Sequence, residues 1–411
     1  MKPDDLILSA LSFAADGFPA LAQAINGHRL VYLDGAASKL MPQPVIDAVR
    51  DYQAHDHANV HRGVHTLSER ATAKFDASRE AVRGFIGAQH SQEIVFTRGA
   101  TESLNIVAHG LARRLKPGDE VIVSTLEHHA NLVPWQMVCQ QTGAVLRHIP
   151  VRDDGTLDFD AFETLLTPRT KVLAITQVSN SIGTDVPVRR FVARGRQAGA
   201  LTVVDGAQAV AHGAVDVREI GCDFYVFSGH KMYGPTGIGV LYGRLEALES
   251  LPPWMGGGDM IESVSLHGFS VAPLPARLEA GTPNISGSIG LAAAIAFLGR
   301  SGWGRIAAEE AELLRYLEAR LSALPWVRII GAGAPKVAAL SFVVEGVHAH
   351  DVGTVLDQFG VAVRVGHHCA MPVMQRFCVA ATVRVSLSMH NTAADIDALV
   401  AALKVAWVRL R

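Results

Sequence analysis

The stretch that decides the fold is residues 201–243, LTVVDGAQAVAHGAVDVREIGCDFYVFSGHKMYGPTGIGVLYG. It contains two short, nearly continuous apolar runs, LTVVD and DFYVF, and each run ends at small and polar residues. Runs of this length and composition predict strands that other elements cover on both faces. Such strands are typical of a mostly parallel sheet, so the stretch indicates an α/β fold.

The same alternation extends over residues 93–242. The strand-like runs EIVFT, EVIVS, AVLRHIP and KVLAITQ precede the two runs above, and helix-like segments such as TESLNIVAHGLARRL (residues 101–115) lie between them. Alternating strands and helices predict an open α/β sheet with right-handed crossover connections.

The flanking segments have a different character. A helix with an apolar face is predicted over residues 66–85. Beyond Pro283 the short strand-like runs VRII, VAALSFVV and TVRVSL alternate with helical segments, which predicts a smaller α+β domain. The helices predicted in this second part lie over residues 289–298, 306–324 and 393–410.

Two domains are predicted from this change of pattern. The larger covers residues 31–288, and the smaller combines residues 1–30 with 289–411 and contains Cys369. The glycine- and proline-rich segment PPWMGGGDMI, together with the residues up to Pro283, is interpreted as loop and linker.

Composition narrows the class of protein. The chain has 411 residues, 49% of them hydrophobic and 18% charged, and a formal net charge of -2, which favours a large apolar core and no nucleic-acid partner. Four cysteines without a C-x-x-C pair predict a reducing compartment, and we expect a cytoplasmic protein. The N-terminal stretch lacks the pattern of a secretory signal, and no apolar run is long enough to predict a membrane span.

Polar residues follow five of the predicted strands, at the point where each strand ends. In an open parallel sheet, ligands bind at the carboxyl ends of the strands. We therefore expect one site formed by residues 98–101 after EIVFT, 127–131 after EVIVS, 179–180 after KVLAITQ, 205–208 after LTVVD and 228–231 after DFYVF.

Lys231 and Asp205 are the first candidates for chemistry at this edge. A lysine among small residues after a buried strand is readily desolvated, which lowers its pKa and frees the amine to form a Schiff base. A carboxylate at the end of an apolar strand needs donors or a cation, such as a protonated pyridine nitrogen. Considered alone, Lys231 is also explained as an exposed charge in a loop, and Asp205 as a helix cap or as part of an ion pair. Together, in consecutive strand–helix units, they resemble the fold-type I enzymes that bind pyridoxal 5'-phosphate (PLP).

A phosphate site and a stacking group are predicted beside this pair. Residues 98–102, RGATE, form a strand-to-helix turn whose free N–H groups suit a phosphate, although a helix start capped by Thr101 explains the same pattern. His128 follows EVIVS, and its imidazole is able to stack on a flat ring. A zinc site is disfavoured despite the many histidines, because no zinc-finger spacing and no H-E-x-x-H motif occurs.

A thiol and a guanidinium complete the candidates. Cys369 lies in RVGHHCAMP, where two histidines and Arg364 are able to support a thiolate. A lone cysteine is also explained as an inert core residue. Arg384 lies within the apolar strand TVRVSL and needs a carboxylate, either a structural one or that of a substrate. The core interpretation suits the other three cysteines, Cys139, Cys222 and Cys378.

With these residues assembled, the sequence resembles the cysteine desulfurases of class V of the fold-type I PLP enzymes, and more narrowly their group II, Suf-type subfamily. The resemblance implies a large domain with a mostly parallel seven-stranded sheet plus a smaller α+β domain, with PLP as cofactor. It further implies conversion of L-cysteine to L-alanine, with the sulfur passed to an acceptor protein. The motifs that carry it are YLDGAAS, NVHRGVHTLSERA, EHHANLVPWQ, VSNSIGT, VDGAQAVAH, SGHKMYGPTGIGVLYG, PPWMGGGDMI, EAGTPN, RVGHHCAMP and RVSLSMHNT.

The resemblance assigns a role to each candidate residue. Lys231 holds the cofactor as a Schiff base and shuttles protons, while Asp205 pairs with the pyridine nitrogen. His128 stacks on the ring, and Cys369 attacks the substrate sulfur and becomes a persulfide. The other cofactor contacts are Ala207 and Gln208 at the ring, and the Ala100 N–H, Thr101, Ser228 and His230 at the phosphate. The substrate is bound by Asn180, Arg364 and Arg384, of which the last takes its carboxylate.

Three positions carry further implications of the resemblance. Thr282, in EAGTPN, is expected to reach the phosphate bound by the other subunit, which implies a homodimer. Ala100 stands where the family commonly has threonine, so one phosphate-binding hydroxyl is absent and weaker cofactor binding is expected. Val365 also replaces a common threonine, which leaves the detailed pose of the Cys369 loop open.

Other functions stay open on the sequence alone. The same site suits a selenocysteine lyase or a cysteine-sulfinate desulfinase, since selenium and sulfinate are better leaving groups. An aminotransferase of the same class is a second alternative, although Cys369 then has no purpose. A non-catalytic binding module that keeps the fold is a third.

Overall fold

The computed structural model describes residues 17–411. Residues 1–16 lie outside this part. The start of the predicted 1–30 segment, and of the stretch predicted to lack a secretory signal, therefore falls outside the described residues. Among the described residues no single helix is long and apolar enough to cross a membrane. Ile285–Ser301 and Trp303–Ser322 meet that criterion only as a pair, and they are bent by 77° where they join.

Within residues 17–411, a seven-stranded sheet forms the centre of the larger part of the chain. Of its described strands, Gly239–Gly243 alone runs antiparallel to the others, which confirms the predicted mostly parallel sheet. The strands lie in the order Ile94–Thr97, Gly239–Gly243, Phe224–Ser228, Leu201–Asp205, Thr170–Thr176, Glu120–Ser124 and Val145–Ile149.

Both faces of this sheet are covered, which explains the nearly continuous apolar runs in the sequence. In the strand Leu201–Asp205, Val203 packs into one apolar cluster and Val204 into another on the opposite face. The helices of this part are Gln43–His55, Thr66–Phe85, Ala100–Ala112, Val133–Thr142, Phe159–Leu165, Val188–Gln197, Val217–Ile220 and Leu245–Glu249. Short 3-10 turns occur at Pro19–Ala22, Ser91–Glu93, His129–Asn131, Gly229–Lys231 and Ala276–Leu278.

A second, antiparallel sheet lies in the C-terminal part of the chain and confirms the smaller α+β domain. Its core is a separate apolar cluster that includes Leu317, Leu340 and Val383. The strands lie in the order Val327–Ile329, Ala339–Val344, Thr382–Ser386 and Arg364–Gly366. The helices are Ile285–Ser301, Trp303–Ser322, Ala349–Gln358, Met371–Arg376 and Ala393–Leu410.

The N-terminal segment reaches into this second part. Val31–Tyr32 pairs in parallel with Val361–Ala362, and Asp34 forms a bridge with Ser386. Shortly before it, the strands Ala24–Ile25 and His28–Arg29 form a small hairpin. The division at residue 31 stays a prediction, although these contacts tie the residues just after it to the smaller part.

Most predicted helices are found with shifted ends. Residues 66–85 and 393–410 are helical over the predicted spans, whereas the helix predicted over 289–298 begins earlier. Asn284 caps it, because its side-chain Oδ1 accepts the Gly287 N–H at 2.9 Å. The helices predicted over 101–115 and 306–324 are Ala100–Ala112 and Trp303–Ser322.

The interpretation of the segment before Pro283 as loop and linker is wrong in one respect. The strands Ile261–Ser265 and Gly268–Val271 form an antiparallel hairpin within it. Most side chains of the hairpin are exposed, including Val264 and Phe269. No buried face therefore imposes the alternation of apolar and polar residues by which a strand is recognised.

The turn after the central strand depends on a glycine. Gly206 directly follows Asp205, and a Cβ at Gly206 would lie 2.0 Å from the Tyr225 side chain. Tyr225 is fully buried, and its hydroxyl donates to Gln177 Oε1 at 2.7 Å, which fixes the ring. The absence of a side chain at Gly206 therefore lets the chain turn where Asp205 reaches the sheet edge.

We expect Gly206→Ala to lower the free energy of unfolding by about 1–3 kcal/mol, the usual effect of overpacking a core. Gly213→Ala is the matched control, since a Cβ there meets no described atom within 4 Å, and should change the free energy by at most about 0.5 kcal/mol. Urea unfolding of both variants measures the difference. Equal unfolding midpoints would contradict the steric explanation.

Candidate active site

The candidate residues meet in one cavity at the carboxyl edge of the large sheet. Its lining includes every predicted site residue except Thr282, namely Ala100, Thr101, His128, Asn180, Asp205, Ala207, Gln208, Ser228, His230, Lys231, Arg364, Cys369 and Arg384. Ala36, Ala37, Ala130 and His368 also line it. The individual roles stay predictions, but all of them require such a shared cavity.

Lys231 and Asp205 occupy the ends of neighbouring strands. Asp205 is the last residue of Leu201–Asp205, and Lys231 lies in the turn that follows Phe224–Ser228. Burial raises the pKa of Asp205 and lowers the pKa of Lys231, while the opposite charge of the partner opposes each shift. The lowered pKa favours the neutral amine of Lys231, the form that reacts with a carbonyl group.

Hydrogen-bond donors for a phosphate meet where the helix Ala100–Ala112 begins. The Ala100 N–H donates to Ser228 Oγ at 2.8 Å, so these two predicted phosphate contacts touch one another. Thr101 and His230 line the same cavity. Burial, followed by the charge of Lys231, lowers the pKa of His230 to about 4. At Ala100 the backbone N–H is the only donor that the residue offers.

His128 is oriented by the backbone around it. Its Nδ1 accepts the Ala130 N–H at 3.0 Å, and burial, followed by the charge of Lys231, lowers its pKa to about 3. The imidazole is therefore neutral near pH 7, as suits a group predicted to stack on a ring.

Glu127 anchors the turn that carries His128. This fully buried carboxylate accepts a hydrogen bond from Asn131 Nδ2 at 2.6 Å and another from the Thr176 N–H at 3.0 Å. Burial raises the pKa of Glu127 to about 8, and these hydrogen bonds oppose the rise. No local pattern predicts this role, because it depends on a strand about 50 residues away.

Arg384 is held by a carboxylate that was not among the predicted site residues. Only 2% of its side chain is exposed; its Nη2 donates to Asp34 Oδ1 at 2.9 Å and its Nη1 to the Asn180 carbonyl at 2.7 Å. Arg364 lies 3.9 Å from the other oxygen of Asp34. The structural partner of Arg384 is thus Asp34. The one sequence feature that pointed to Asp34 was its place in the motif YLDGAAS.

Cys369 lies at a turn after the strand Arg364–Gly366 and is partly buried. Its carbonyl accepts the His129 N–H at 2.8 Å. The adjacent His368 carbonyl accepts a hydrogen bond from Asn180 Nδ2 at 2.5 Å. These contacts hold the thiol at the cavity that contains Lys231. Val365, the departure noted above, faces Val383 across the sheet.

Several buried polar atoms of this cavity lack partners within residues 17–411. They are Asn180 Oδ1, His368 Nδ1 and Arg384 Nε. Buried polar groups normally form hydrogen bonds, so this cavity suits a ligand with polar groups. PLP fits the residues present: Asp205 offers a carboxylate to a ring nitrogen, Lys231 an amine, and the Ala100–Ser228 corner donors to a phosphate. Over the same described residues, no group of three or more His, Cys, Asp or Glu side chains is placed to hold a metal ion.

The other cysteines and Thr282 lie outside the Lys231 cavity. Cys378 is exposed, which corrects the prediction of a core residue; it follows the helix Met371–Arg376 in a turn with a φ of 52°. Cys139 and Cys222 are buried as predicted. Thr282 lines a separate cavity beside Arg98, so within one chain it does not join the Lys231 cavity.

The mostly parallel sheet, with a lysine and an aspartate at its carboxyl edge, defines an enzyme of the fold-type I PLP class. The chain belongs to the aminotransferase class-V family, whose model matches residues 31–399. PLP is the cofactor of the class-V cysteine desulfurases.

Similar proteins point to one activity within that family. A cysteine desulfurase of Klebsiella pneumoniae (strain 342) is 50% identical over 389 residues, covering 94% of this chain and 96% of the relative. A probable cysteine desulfurase of Vibrio cholerae is 48% identical over 387 residues, with the same coverage of the two chains. The crystal structure of the Escherichia coli cysteine desulfurase CsdA has a TM-score of 0.89 and 41% identity, covering 100% of both chains. The cysteine desulfurase of Thermococcus onnurineus has a TM-score of 0.89 and 39% identity, covering 96% of this chain and 99% of its own.

Asp34→Asn removes the charge that faces Arg384 and keeps the shape of the side chain. We expect the free energy of unfolding to fall by about 3–5 kcal/mol, as when a buried charge loses its partner. Asp160→Asn is the matched control, because its pair with Arg152 is exposed and should contribute nothing measurable. Urea unfolding measures both variants. Equal losses in the two would contradict a special role of the buried pair.

Proposed function

We propose that this protein is a PLP-dependent cysteine desulfurase that converts L-cysteine to L-alanine and takes the sulfur onto Cys369 as a persulfide. The observation that carries the proposal is the shared cavity of Lys231, Asp205 and Cys369. These residues come from three separate parts of the sequence and supply an amine, a carboxylate and a thiol. Relatives about 50% identical over 94% of the chain carry the same activity in their names.

The bound cofactor supplies an electron sink that stabilises negative charge at the α-carbon of the substrate. Asp205 keeps the ring nitrogen protonated, since its buried carboxylate gains a cation as partner. Lys231 would hold the bound cofactor through its side-chain amine, and the same amine in its neutral form would take the α-proton of the substrate. The lowered pKa of Lys231 makes that amine available near neutral pH.

Cys369 receives the sulfur. Its thiolate attacks the substrate sulfur, so an S–S bond forms as the Cβ–S bond breaks. The electron pair of the broken bond stays with the carbon fragment, which is released as alanine after it takes up protons. Cys369 then holds the sulfur as a persulfide, ready for transfer to an acceptor thiol.

The substrate carboxylate is bound on the arginine side of the cavity. Arg384 offers its unpartnered Nε, while Asp34 and the Asn180 carbonyl fix the orientation of its guanidinium. Arg364 is 45% exposed at its side chain and is able to turn toward the ligand. We assign substrate binding to these arginines and to Asn180.

The finer features are part of the same proposal. Thr282 reaches the phosphate site of a second copy, so the enzyme is a homodimer, and its separate cavity is where the two copies meet. The compact turn around Cys369 is typical of the Suf-type group, which passes sulfur to a dedicated acceptor protein for iron–sulfur cluster assembly or related sulfur metabolism. The free cysteines support a reducing, cytoplasmic location.

Lys231→Ala tests the cofactor assignment. We expect the purified variant to lose the visible absorbance of lysine-bound PLP, and alanine release to fall by at least about 10²–10⁴-fold, because a general base is lost. Lys404→Ala, at an exposed position on the last helix, is the control and should match the parent. Identical spectra of parent and Lys231→Ala would end the PLP proposal for this residue.

Cys369→Ala tests the sulfur acceptor. The variant should keep its PLP absorbance and bind cysteine, yet form no persulfide detectable by mass spectrometry, because no thiol is in place to attack. Cys378→Ala, an exposed thiol, is the matched control. Alanine release from cysteine at the parent rate would refute the role of Cys369. If Cys369→Ala loses activity on cysteine but keeps the parent rate on selenocysteine or on cysteine sulfinate, a selenocysteine lyase or a cysteine-sulfinate desulfinase with the same site would be favoured.

A further inference from the structure

Two imidazoles outside the cofactor contacts hold the turn that carries Cys369. The His129 N–H donates to the Cys369 carbonyl at 2.8 Å, and the Met371 N–H donates to His129 Nε2 at 3.2 Å. On the other side of the thiol, the Cys369 N–H donates to His367 Nδ1 at 3.1 Å. The backbone N–H groups of Cys369 and Met371 are therefore each bound to a histidine ring. The bond to the Cys369 carbonyl comes from the backbone N–H of His129 and does not involve its ring.

The turn needs such support because its backbone is strained. His368 has a φ of 53° and Cys369 a φ of 54°, both in the left-handed region. Non-glycine residues are disfavoured in that region, because the Cβ atom lies too close to the following carbonyl oxygen. The backbone bond from the Ala370 N–H to the His367 carbonyl, 2.9 Å long, closes the turn but does not attach it to the large domain. His129 attaches the turn to the large sheet, and Asn180 does so as well through the His368 carbonyl.

Both rings must be neutral to accept these hydrogen bonds. A ring nitrogen that accepts an N–H carries no proton of its own, so protonation at His129 Nε2 or His367 Nδ1 removes an acceptor. The two ring centroids lie 5.7 Å apart, which disfavours two charges. Burial, followed by the charge of His367, lowers the pKa of His129. His128 is a second titratable group close to His129, with a distance of 6.3 Å between the two ring centroids.

We propose that His129 and His367 are positioning residues that form a pH-sensitive clamp on the Cys369 turn. With both rings neutral, the clamp is closed and the thiol lies at the cavity. When either ring is protonated, an N–H of the turn loses its acceptor, and the strained turn opens and moves the thiol away. This inference rests on the proposed function, because it describes how the sulfur-accepting thiol is held.

The direction of the pH effect follows from the neutral rings. Since the closed turn requires an unprotonated His129 ring, and burial holds the pKa of His129 below its ordinary value, the clamp is complete near neutral pH and weakens only as the pH falls below the ordinary imidazole range near 6.5. One neutral hydrogen bond is worth about 0.5–1.5 kcal/mol, which converts to a change of about 2–10-fold in the opening equilibrium. If both acceptors are lost, the change in the opening equilibrium is the product of the two single changes.

Alkylation of the thiols measures this opening without using catalysis. The PLP-loaded protein is treated with iodoacetamide in the absence of substrate, and labelling of Cys369 and Cys378 is followed by peptide mass spectrometry. The rate ratio of the two thiols is compared between parent and variants at each pH, so the reagent and the general pH effect cancel. Cys378 is the internal reference because it is already exposed.

The variants separate the acceptor from its charge. In His129→Gln and His367→Asn, a side-chain oxygen takes the place of the accepting nitrogen and cannot be protonated. In the parent, we expect the ratio of the Cys369 labelling rate to the Cys378 labelling rate to rise about 2–10-fold between neutral and mildly acidic pH. In His129→Ala the ratio should be raised at every pH. In the double variant His129→Gln/His367→Asn it should stay low and independent of pH. His148→Gln, an exposed histidine on the edge strand Val145–Ile149, is the matched control and should follow the parent.

Two outcomes overturn the clamp. One is a ratio in His129→Ala equal to that of the parent throughout, and the other is a double variant as pH-sensitive as the parent. Failure of the proposed function is a separate result, since a parent protein that releases no alanine from cysteine leaves the alkylation ratios interpretable. Visible absorbance and circular dichroism of each variant establish that it is folded and loaded with PLP. Persulfide formation in single turnover should fall in His129→Ala and be restored in His129→Gln.

Discussion

The buried guanidinium of Arg384 is the constraint on which the site depends. Its two terminal nitrogens bind the Asp34 carboxylate and the Asn180 carbonyl, so one side chain joins the N-terminal segment, a loop of the large sheet and a strand of the smaller part. A charge that is 2% exposed is tolerated only with such partners. The bond from Arg384 to the Asn180 carbonyl therefore fixes the smaller part, and with it Cys369, against the edge of the large sheet, while Asp34 balances the buried charge.

Burial sets the reactivity of the groups on the large-sheet side. It raises the pKa of Asp205 and lowers the pKa of Lys231 and of His128, which it brings to about 3. The three shifts agree with the proposed chemistry, in which Asp205 pairs with a cationic ring nitrogen, the amine of Lys231 reacts in its neutral form and the neutral ring of His128 stacks on the cofactor. Desolvation of these groups lowers the stability of the fold, and the same desolvation shifts each pKa in the direction that its proposed role requires.

The smaller part contributes through backbone geometry. Cys369 sits in a left-handed conformation that a short turn imposes, and the contacts around it come from His129 and from its own neighbour His367. The proposed function at this end of the site depends on where the strained Cys369 turn is held. At the other end it depends on the electrostatics of buried side chains, so substitutions at the two ends should affect different measurements.

The parallel sheet and most of the cavity were predictable from the order of residues alone. Hydrophobic runs are visible in the local sequence, and the carboxyl ends of parallel strands meet at one edge of the sheet. Lys231, Asp205 and the other strand-end residues were therefore predictable from residue order. Cys369 was predictable from its motif. The order of residues did not predict Asp34 as the partner of Arg384, the burial of Glu127, the exposure of Cys378, or the exposed hairpin at residues 261–271. Only the tertiary structure decided these, because each depends on contacts between segments far apart in the chain, or on a surface where no local pattern is imposed.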